Sequence, residues 1–396
     1  MNCWEKYQNM GLVEKLSRIK CRNVLSLLVF WGQIQNYMMR TSMSLIVLAM
    51  VKTETKADKG DAQVFTETCV QERMNDTKEI TTKDDEPVEG KLEWDESMIP
   101  LVLSSFFWGY LTTQIIGGRL AEVYGIKKVY GFGLFIPALL FLLHPVGAKV
   151  DARLFLALRV LVGVFEGVTW PAMHALTARW VPAKERSSWV SQTYFGSTFG
   201  SIITLPMCGF IIASYGWEAC FYVISCISLT WSLVWYLLAH DWPQDHPRIS
   251  PEELEELSGT EVSVTHPPVP WLDILKSGPV WGTLITDCAN TFGISIFLGY
   301  GPVYLKYMLG LDIKTNGLLS ALPMVARYVG GVVIARLSDW LITSGRISRL
   351  NARRVFNSIS QVCPAITIVC LGYAGCNVAL AIFFMVSILQ LNRTFK

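Results

Sequence analysis

The chain has 396 residues, of which 52% are hydrophobic and only 17% are charged. Soluble domains carry about 25% charged residues, so this balance excludes an ordinary soluble protein and predicts a membrane protein with several spans. The formal net charge of +2 says nothing about partners, because the charges are segregated by loop. The sequence shows no nucleophile–base, metal-ligand or phosphate-loop pattern, so we expect neither an enzyme nor a bound metal or cofactor.

The first predicted span covers about residues 23–51 and follows a cluster of basic residues. A membrane-crossing helix needs about 20 mostly apolar residues, and this stretch has that length. The basic cluster places the N-terminal segment, residues 1–22, in the cytoplasm. Arg40 lies inside the apolar run, about 16 Å below the outer end of the helix at 1.5 Å per residue.

A polar, acidic segment follows the first span over residues 52–96 and shows no apolar periodicity. We expect an extracellular or luminal loop that is largely without regular structure. It contains the sequon Asn75-Asp76-Thr77, so Asn75 is a predicted glycosylation site, with an unused sequon as the alternative.

Spans two and three are predicted at about residues 97–120 and 129–145. The stretch between them is short, basic and glycine-rich, and we interpret it as a cytoplasmic connection. Its candidate residues for a conformational loop motif are Gly118, Glu122, Gly125, Lys127 and Lys128.

The stretch from residue 156 to residue 187 is a predicted fourth span with a short basic loop, and it holds Arg159 and Glu166 within its apolar run. Ionisable side chains at that depth cost roughly 2.5–3.5 kcal/mol each, so they normally face protein or a watery cavity. The two residues are seven positions apart, which puts them on one helical face. Gly163 and Gly167 have the small-xxx-small spacing that lets a neighbouring helix approach closely, and Pro171 favours a kink.

Both charges also have simpler explanations, which the sequence leaves open. Arg159 lies close enough to the outer end of the helix for its side chain to reach the headgroups. Glu166 lies near the middle of the span, where the simpler role is a structural ion pair with an arginine on another helix.

Spans five and six complete a first half of six helices, over residues 23–240. Residues 241–278 form a polar connector with the acidic segment PEELEEL, which we expect in the cytoplasm. Residues 279–396 form an incomplete second half. The predicted spans from five to ten cover about residues 189–213, 217–239, 280–304, 316–337, a stretch ending near 373, and a stretch ending near 391.

A basic stretch after span eight includes Arg336 and Asp339, and its position mirrors that of the connection after span two. This internal repeat predicts two pseudo-symmetric halves. Asp287 in span seven and Arg327 in span eight are further charges within apolar runs. They are partners of each other, local pathway charges or chance substitutions.

The stretch from Gly118 to Lys128 resembles the repeated loop of the major facilitator superfamily, G-x-L-A-D-x-x-G-x-[RK]-[RK], with Glu122 in place of the usual aspartate. Other stretches resemble the anion transporters that include sialin, vesicular glutamate transporters and type I phosphate cotransporters. The likeness is greatest to the insect-type inorganic phosphate cotransporters. These stretches are FEGVTWPAMHAL with WVPAKERS, SSFFWGYLTTQIIGGRLA, YGWEACFYV, DWPQDHPRIS and NGLLSALP.

The resemblance implies an all-α membrane protein of the major facilitator fold, with about ten of twelve spans present. It implies a secondary active transporter of small anions, inorganic phosphate or organic carboxylates, that works by alternating access with a proton or sodium gradient. Arg40 and Arg159 would bind the substrate, and Glu166 would take part in coupling. Arginine stays charged when buried, and its planar fork suits carboxylate or phosphate.

Some positions depart from the family pattern. Val162 stands where sialin-like members carry another acidic residue, and Leu103 stands where glutamate transporters carry a histidine. Asn290 lies near the position of an arginine of the glutamate transporters, so glutamate is not favoured as the substrate. The candidates for a pathway or gating role are His174, Asp287, Asn290 and Arg327.

The chain stops after ten predicted spans, which leaves a second class of function open. It would then be a truncated isoform that does not transport, or a regulatory partner of a full-length transporter. In either case we expect a multi-pass protein of the plasma membrane or of a lysosomal or vesicular membrane. Its surroundings would be the lipid bilayer, without a nucleic-acid partner.

Overall fold

The computed structural model describes residues 20–51, 92–95, 97–182, 184–258, 271–375 and 377–391. These residues are mostly helical, which confirms the predicted all-α class. A single isolated bridge in the described part pairs Val51 with Leu92, at the two ends of the long loop. The α-helices in chain order are α1 (Cys21–Thr41), α2 (Met43–Met50), α3 (Met98–Tyr124), α4 (Ile126–Val150), α5 (Ala152–Glu166), α6 (Thr169–Trp180), α7 (Arg186–Tyr215), α8 (Trp217–Leu238), α9 (Pro251–Ser258), α10 (Trp271–Lys276), α11 (Gly278–Tyr307), α12 (Ile313–Thr343), α13 (Arg349–Gly372) and α14 (Val378–Leu391).

Seven stretches of the described chain are long and apolar enough to cross a membrane, by length and composition. They correspond to predicted spans two to six, eight and nine. Of the remaining predicted spans, the first is divided into α1 and α2, the seventh is α11, and the tenth is the 14-residue helix α14. The count of ten spans and the symmetry of two halves therefore stay predictions.

The helical hydrogen bonding of span one is interrupted at one residue, Ser42, between α1 and α2, and the backbone there keeps right-handed helical angles, φ −57° and ψ −33°. The span predicted at about residues 23–51 is therefore two helices that follow each other directly. Ser and Thr hydroxyls compete for backbone hydrogen bonds, and the Ser44 hydroxyl donates to the carbonyl oxygen of Thr41 at 2.8 Å. The interruption comes directly after the turn that carries Arg40.

Span four is also divided, because α5 ends at Glu166 and α6 begins at Thr169. Pro171 has no N–H group to donate to the preceding turn. The two residues between these helices, Gly167 and Val168, keep right-handed helical backbone angles, and the kink predicted at Pro171 stays a prediction.

Most of the stretch interpreted as a connection between spans two and three is helical, which corrects the sequence interpretation. Helix α3 continues through Gly118 and Glu122 to its last residue, Tyr124. Only Gly125 separates α3 from α4, with a positive φ of 95°. Glycine adopts this conformation without the steric cost that a Cβ atom brings, so it ends the helix.

The stretch after span eight requires the same correction. Arg336 and Asp339 lie within α12, which continues to Thr343. The sequence between them contains no proline or glycine, so nothing local ends the helix at the membrane surface. It ends before Gly345, which has a φ of 69°. The side chain of Asp339 lies outside the described residues.

The chain divides into two compact units, each with its own core. The first comprises Met1–Met39, Ser104–Gly200 and Phe221–His266, and the second comprises Arg40–Leu103, Ser201–Cys220 and Pro267–Lys396. The predicted boundaries at residues 240 and 278 stay a prediction.

The connector helix α9 caps the first helix of the chain within the first unit. The Glu253 carboxylate accepts hydrogen bonds from the backbone N–H groups of Cys21 and Arg22, each at 2.9 Å. A carboxylate at a helix N-terminus satisfies N–H groups that have no partner within the helix. Glu256, one turn further, accepts from Lys20 at 2.9 Å and lies 3.0 Å from Arg22.

Candidate functional site

Spans two and four cross in the first unit with almost no space between their backbones. A Cβ atom on Gly163 would overlap the carbonyl oxygen of Phe106, and one on Gly109 would overlap the carbonyl oxygen of Val160. The predicted close approach at Gly163 is therefore confirmed, with a glycine of span two as its counterpart.

The same crossing continues one turn further along span four. A Cβ atom on Gly167 would overlap the hydroxyl oxygen of Thr113. That hydroxyl donates to the carbonyl oxygen of Val164 at 2.7 Å, which adds a hydrogen bond between the two spans. The segment that carries the two buried charges is thus held against span two by glycine contacts and by this bond.

Arg159 lies on α5 with only 1% of its surface exposed. Its guanidinium carbon is 5.4 Å from the ring centroid of Phe106 on span two, within range of a cation–π interaction. This burial argues against the explanation that the side chain simply reaches the headgroups.

Glu166 is fully buried, with 0% exposure, and is the last residue of α5. Arg159 and Glu166 are thus both buried in the first unit, on one helix and two turns apart. Buried charges are costly without compensation, so we take these two residues as the candidate functional site of the first unit.

Arg40 is half-buried in the last turn of α1 and belongs to the second unit. The C-terminal end of a helix carries partial negative charge, which favours a cation there. Arg40 and Glu166 therefore share a local setting, because each lies at the end of a helical segment where its span is interrupted.

The remaining pathway candidates lie on other helices than α5. His174 is exposed on α6, with its ring 6.4 Å from that of Trp170. Asp287 and Asn290 are half-buried on α11, and Arg327 is half-buried on α12. Pairing between Asp287 and Arg327 stays a prediction.

In the motif after span two, the structure explains Gly125 and reveals a partner of the Lys127 backbone that the sequence reading missed. Asp241 accepts a hydrogen bond from the backbone N–H of Lys127 at 2.8 Å, at the start of α4. A Cβ atom on Gly125 would lie 2.9 Å from an oxygen of that carboxylate. Trp235 donates from its indole nitrogen to the carbonyl oxygen of Lys127 at 2.9 Å. The signal was present, since Asp241 opens the stretch DWPQDHPRIS.

The other motif residues are more exposed. Glu122 forms an exposed ion pair with Arg119 at 2.9 Å, and such pairs contribute little to stability. Lys128 and Arg336 are exposed, and Gly118 is half-buried. Asn75 lies outside the described residues.

A cavity of about 390 Å³ lies in the second unit. Three tyrosines of α11 line it, at positions 300, 304 and 307, together with Ile99 and Pro100. None of the predicted charged residues lines this cavity. Within the described residues, no group of three His, Cys, Asp or Glu side chains could hold a metal ion.

The Major Facilitator Superfamily profile matches residues 29–391. The chain belongs to this superfamily. As a member, it is a multi-pass membrane transporter and not an enzyme.

Individual relatives place this facilitator within one family of the superfamily. It is 33% identical over 380 residues to a Drosophila melanogaster protein named for inorganic phosphate cotransport, covering 94% of this chain and 70% of the relative. It is 33% identical to human sialin, covering 91% of this chain and 72% of sialin. It is 30% identical to mouse sodium-dependent phosphate transport protein 1, covering 91% of this chain and 75% of the relative. The predicted membership in this family of anion transporters is confirmed.

Solved structures of similar fold are also facilitators. The inward-open xylose transporter XylE from E. coli aligns with a TM-score of 0.62 at 15% identity, over 93% of this chain and 79% of that one. A bacterial homologue of the human lysosomal transporter Spinster aligns with a TM-score of 0.61 at 13% identity, over 95% of this chain and 74% of that one. At these identities the likeness supports the fold.

Proposed function

We propose that this facilitator is a secondary active transporter of small anions, coupled to a proton or sodium gradient by alternating access. The observation that carries the proposal is the buried Arg159 and Glu166 on one helix of an interrupted span. A permanently charged arginine attracts an anion, and its planar group can bind carboxylate or phosphate through two hydrogen bonds.

In this proposal Arg40 and Arg159 bind the anion, and the Glu166 carboxyl group takes part in coupling. Two classes of substrate remain, inorganic phosphate and organic carboxylates. Three relatives are named sialin, sodium-dependent phosphate transport protein 1 and vesicular glutamate transporter 1. Phosphate and glutamate, an organic carboxylate, represent the two classes. The membrane would be the plasma membrane or a lysosomal or vesicular membrane.

Coupling follows from the charges at the site. In the proposed cycle Glu166 pairs with an arginine in one state, and the charge of that arginine compensates the charge of the carboxylate. When an anion binds the arginine, the carboxylate loses that compensation, and binding of a proton then becomes more favourable. Anion and proton binding would therefore favour each other, and this reciprocity is required by linkage.

The test is uptake into proteoliposomes that contain the purified chain. The labelled anions are inorganic phosphate, gluconate as an organic carboxylate, and glutamate. Uptake of each anion is measured with an imposed proton gradient, with an imposed sodium gradient and without a gradient. We expect accumulation of phosphate or gluconate with one of the two gradients and little accumulation of glutamate. Uptake equal to that of empty liposomes for every anion and both gradients would contradict the proposal.

A further inference from the structure

Asn36 of span one contacts the interruption in span four. Its side-chain nitrogen donates to the hydroxyl oxygen of Thr169 at 3.2 Å. Asn36 is 1% exposed and Thr169 is 0% exposed, so the bond is shielded from solvent. Both residues belong to the first unit.

The Thr169 hydroxyl forms a second hydrogen bond, as a donor to the backbone carbonyl of Glu166 at 2.6 Å. A hydroxyl has one proton to donate, so accepting from Asn36 and donating to Glu166 defines the direction of both bonds. The carbonyl groups in the last turn of a helix lack donors within that helix, and Glu166 is the last residue of α5. The chain of bonds from Asn36 through Thr169 thus ends on the backbone of the residue that carries the buried carboxyl group.

Span two holds the same segment from another side. The Thr113 hydroxyl donates to the carbonyl of Val164, and Gly167 leaves no room for a side chain against Thr113. The backbone on both sides of Glu166 is therefore constrained by hydroxyl groups, one from span two and one linked to span one. These bonds add to the backbone hydrogen bonds of the span, such as the one from the Gly167 N–H to the carbonyl of Gly163 at 2.9 Å.

We propose that Asn36 and Thr169 are positioning residues, which hold the Glu166 carboxyl group in the orientation that coupling requires. The proposal rests on the function proposed above, in which Glu166 takes part in coupling. The competing explanation is that the bond only joins two helices. Such bonds between membrane helices contribute little on average, so that role predicts a small loss of stability with an unchanged pH profile.

The experiment compares variants by uptake into proteoliposomes as a function of pH, with the panel anion that the wild-type protein accumulates most. Thr169→Val removes the hydroxyl at nearly the same volume. Thr169→Ser keeps the hydroxyl, and Asn36→Ala removes the donor to it. The matched control is Ser228→Ala, which breaks a similarly buried bond between span six and Gln35 of span one, of 2.9 Å.

We expect Thr169→Val to lower the maximal rate about tenfold and to shift the pH profile, because small displacements of a reacting group cost rate steeply. Asn36→Ala should shift the profile in the same direction, and Thr169→Ser should restore most of the rate. Ser228→Ala should keep the wild-type pH profile. The proposal is overturned if Thr169→Val and Asn36→Ala both keep the wild-type profile. If Thr169→Val does not fold, the pH profile of Asn36→Ala alone tests the proposal, because this variant leaves the Thr169–Glu166 hydrogen bond in place.

Glu166→Gln separates this proposal from the function on which it rests. A changed pH profile in Glu166→Gln, with unchanged profiles in Thr169→Val and Asn36→Ala, overturns the positioning role alone. An unchanged profile in Glu166→Gln overturns both, since a residue that does not couple needs no positioning.

Discussion

The carbonyl oxygen of Phe106 occupies the space where a Cβ atom on Gly163 would lie. Spans two and four therefore meet backbone to backbone, at the level between Arg159 and Glu166. Any side chain at Gly163 must push the two spans apart, and both buried charges would move with them.

Gly163→Ala should accordingly destabilise the protein, by about 1–3 kcal/mol for overpacking of a tight contact. The measurement is the thermal unfolding midpoint of the detergent-purified protein. The control is Gly282→Ala on α11, because a Cβ atom there meets nothing within 4 Å. Equal midpoints for the two variants would refute the close-contact argument.

Arg40→Lys and Arg159→Lys should each raise the KM for the transported anion about tenfold or more. Lysine keeps the charge but cannot supply two parallel hydrogen bonds to one anion. Uptake kinetics in proteoliposomes measure the effect. Arg119→Lys serves as the control, because Arg119 is exposed and pairs with Glu122. Wild-type affinity in both Arg40→Lys and Arg159→Lys would show that neither residue contacts the substrate.

Glu166→Gln should leave a folded protein that still binds the anion but no longer accumulates it against a gradient. Glutamine has nearly the same shape as glutamate and cannot bind or release a proton near neutral pH. Equilibrium binding and gradient-driven uptake, measured on the same preparation, separate the two effects. Accumulation with an unchanged pH dependence would exclude Glu166 as the proton site and favour sodium coupling.

Glu256 provides a pH-dependent contact at the connector helix. The hydrogen bond from Lys20, with a further contribution from the charge of Arg22, holds the pKa of Glu256 below its ordinary value despite opposing desolvation. A carboxyl group whose pKa is lowered by folding stabilises the fold above its ordinary pKa, and this contribution is lost as pH falls through the lowered value.

Glu256→Gln should therefore lower the thermal midpoint slightly at pH 7, and the difference from wild type should vanish at a pH well below the ordinary glutamate pKa of about 4.3. Glu252→Gln, an exposed residue of the same helix, serves as the control and should show a smaller effect at pH 7. A difference for Glu256→Gln that does not depend on pH would contradict the assignment.

Asn75 tests the predicted topology. If the loop of residues 52–96 is extracellular or luminal, Asn75 is accessible to glycosylation, whereas the sequon at Asn392 is not. Glycosidase treatment should shift the electrophoretic mass of the wild-type protein made in animal cells, but not that of Asn75→Gln. An equal shift in both proteins would place the modification elsewhere.

The local pattern of apolar residues was sufficient to predict most of the helices. The predicted limits of span six, residues 217–239, differ by one residue from the helix Trp217–Leu238. The glycine spacing at Gly163 predicted a close contact correctly, because that spacing places both glycines on one helical face. The predicted limits were wrong where helices continue beyond the predicted spans, since polar residues such as Arg336 do not end a helix without a glycine or proline.

The break in span one was not predictable in the same way. The stretch Arg40-Thr41-Ser42-Met43-Ser44 is polar apart from Met43, but it lies within a long apolar run and contains no proline or glycine, so the sequence indicated one span. Whether a hydroxyl bonds a carbonyl or faces a neighbouring helix depends on packing, which the local sequence does not contain.

The sequence by itself determined that this protein is a helical membrane transporter of the facilitator type, where most of its spans lie, and that charges are placed within them. Bilayer thickness and helix geometry are general constraints, so apolar length and spacing are enough to apply them. Only the tertiary structure decided which side chains meet. Asn36 and Thr169 are 133 positions apart, and Asp241 and Lys127 are 114 apart. A hydrogen bond depends on distance and direction at the ångström scale, and only the packing of whole helices sets these.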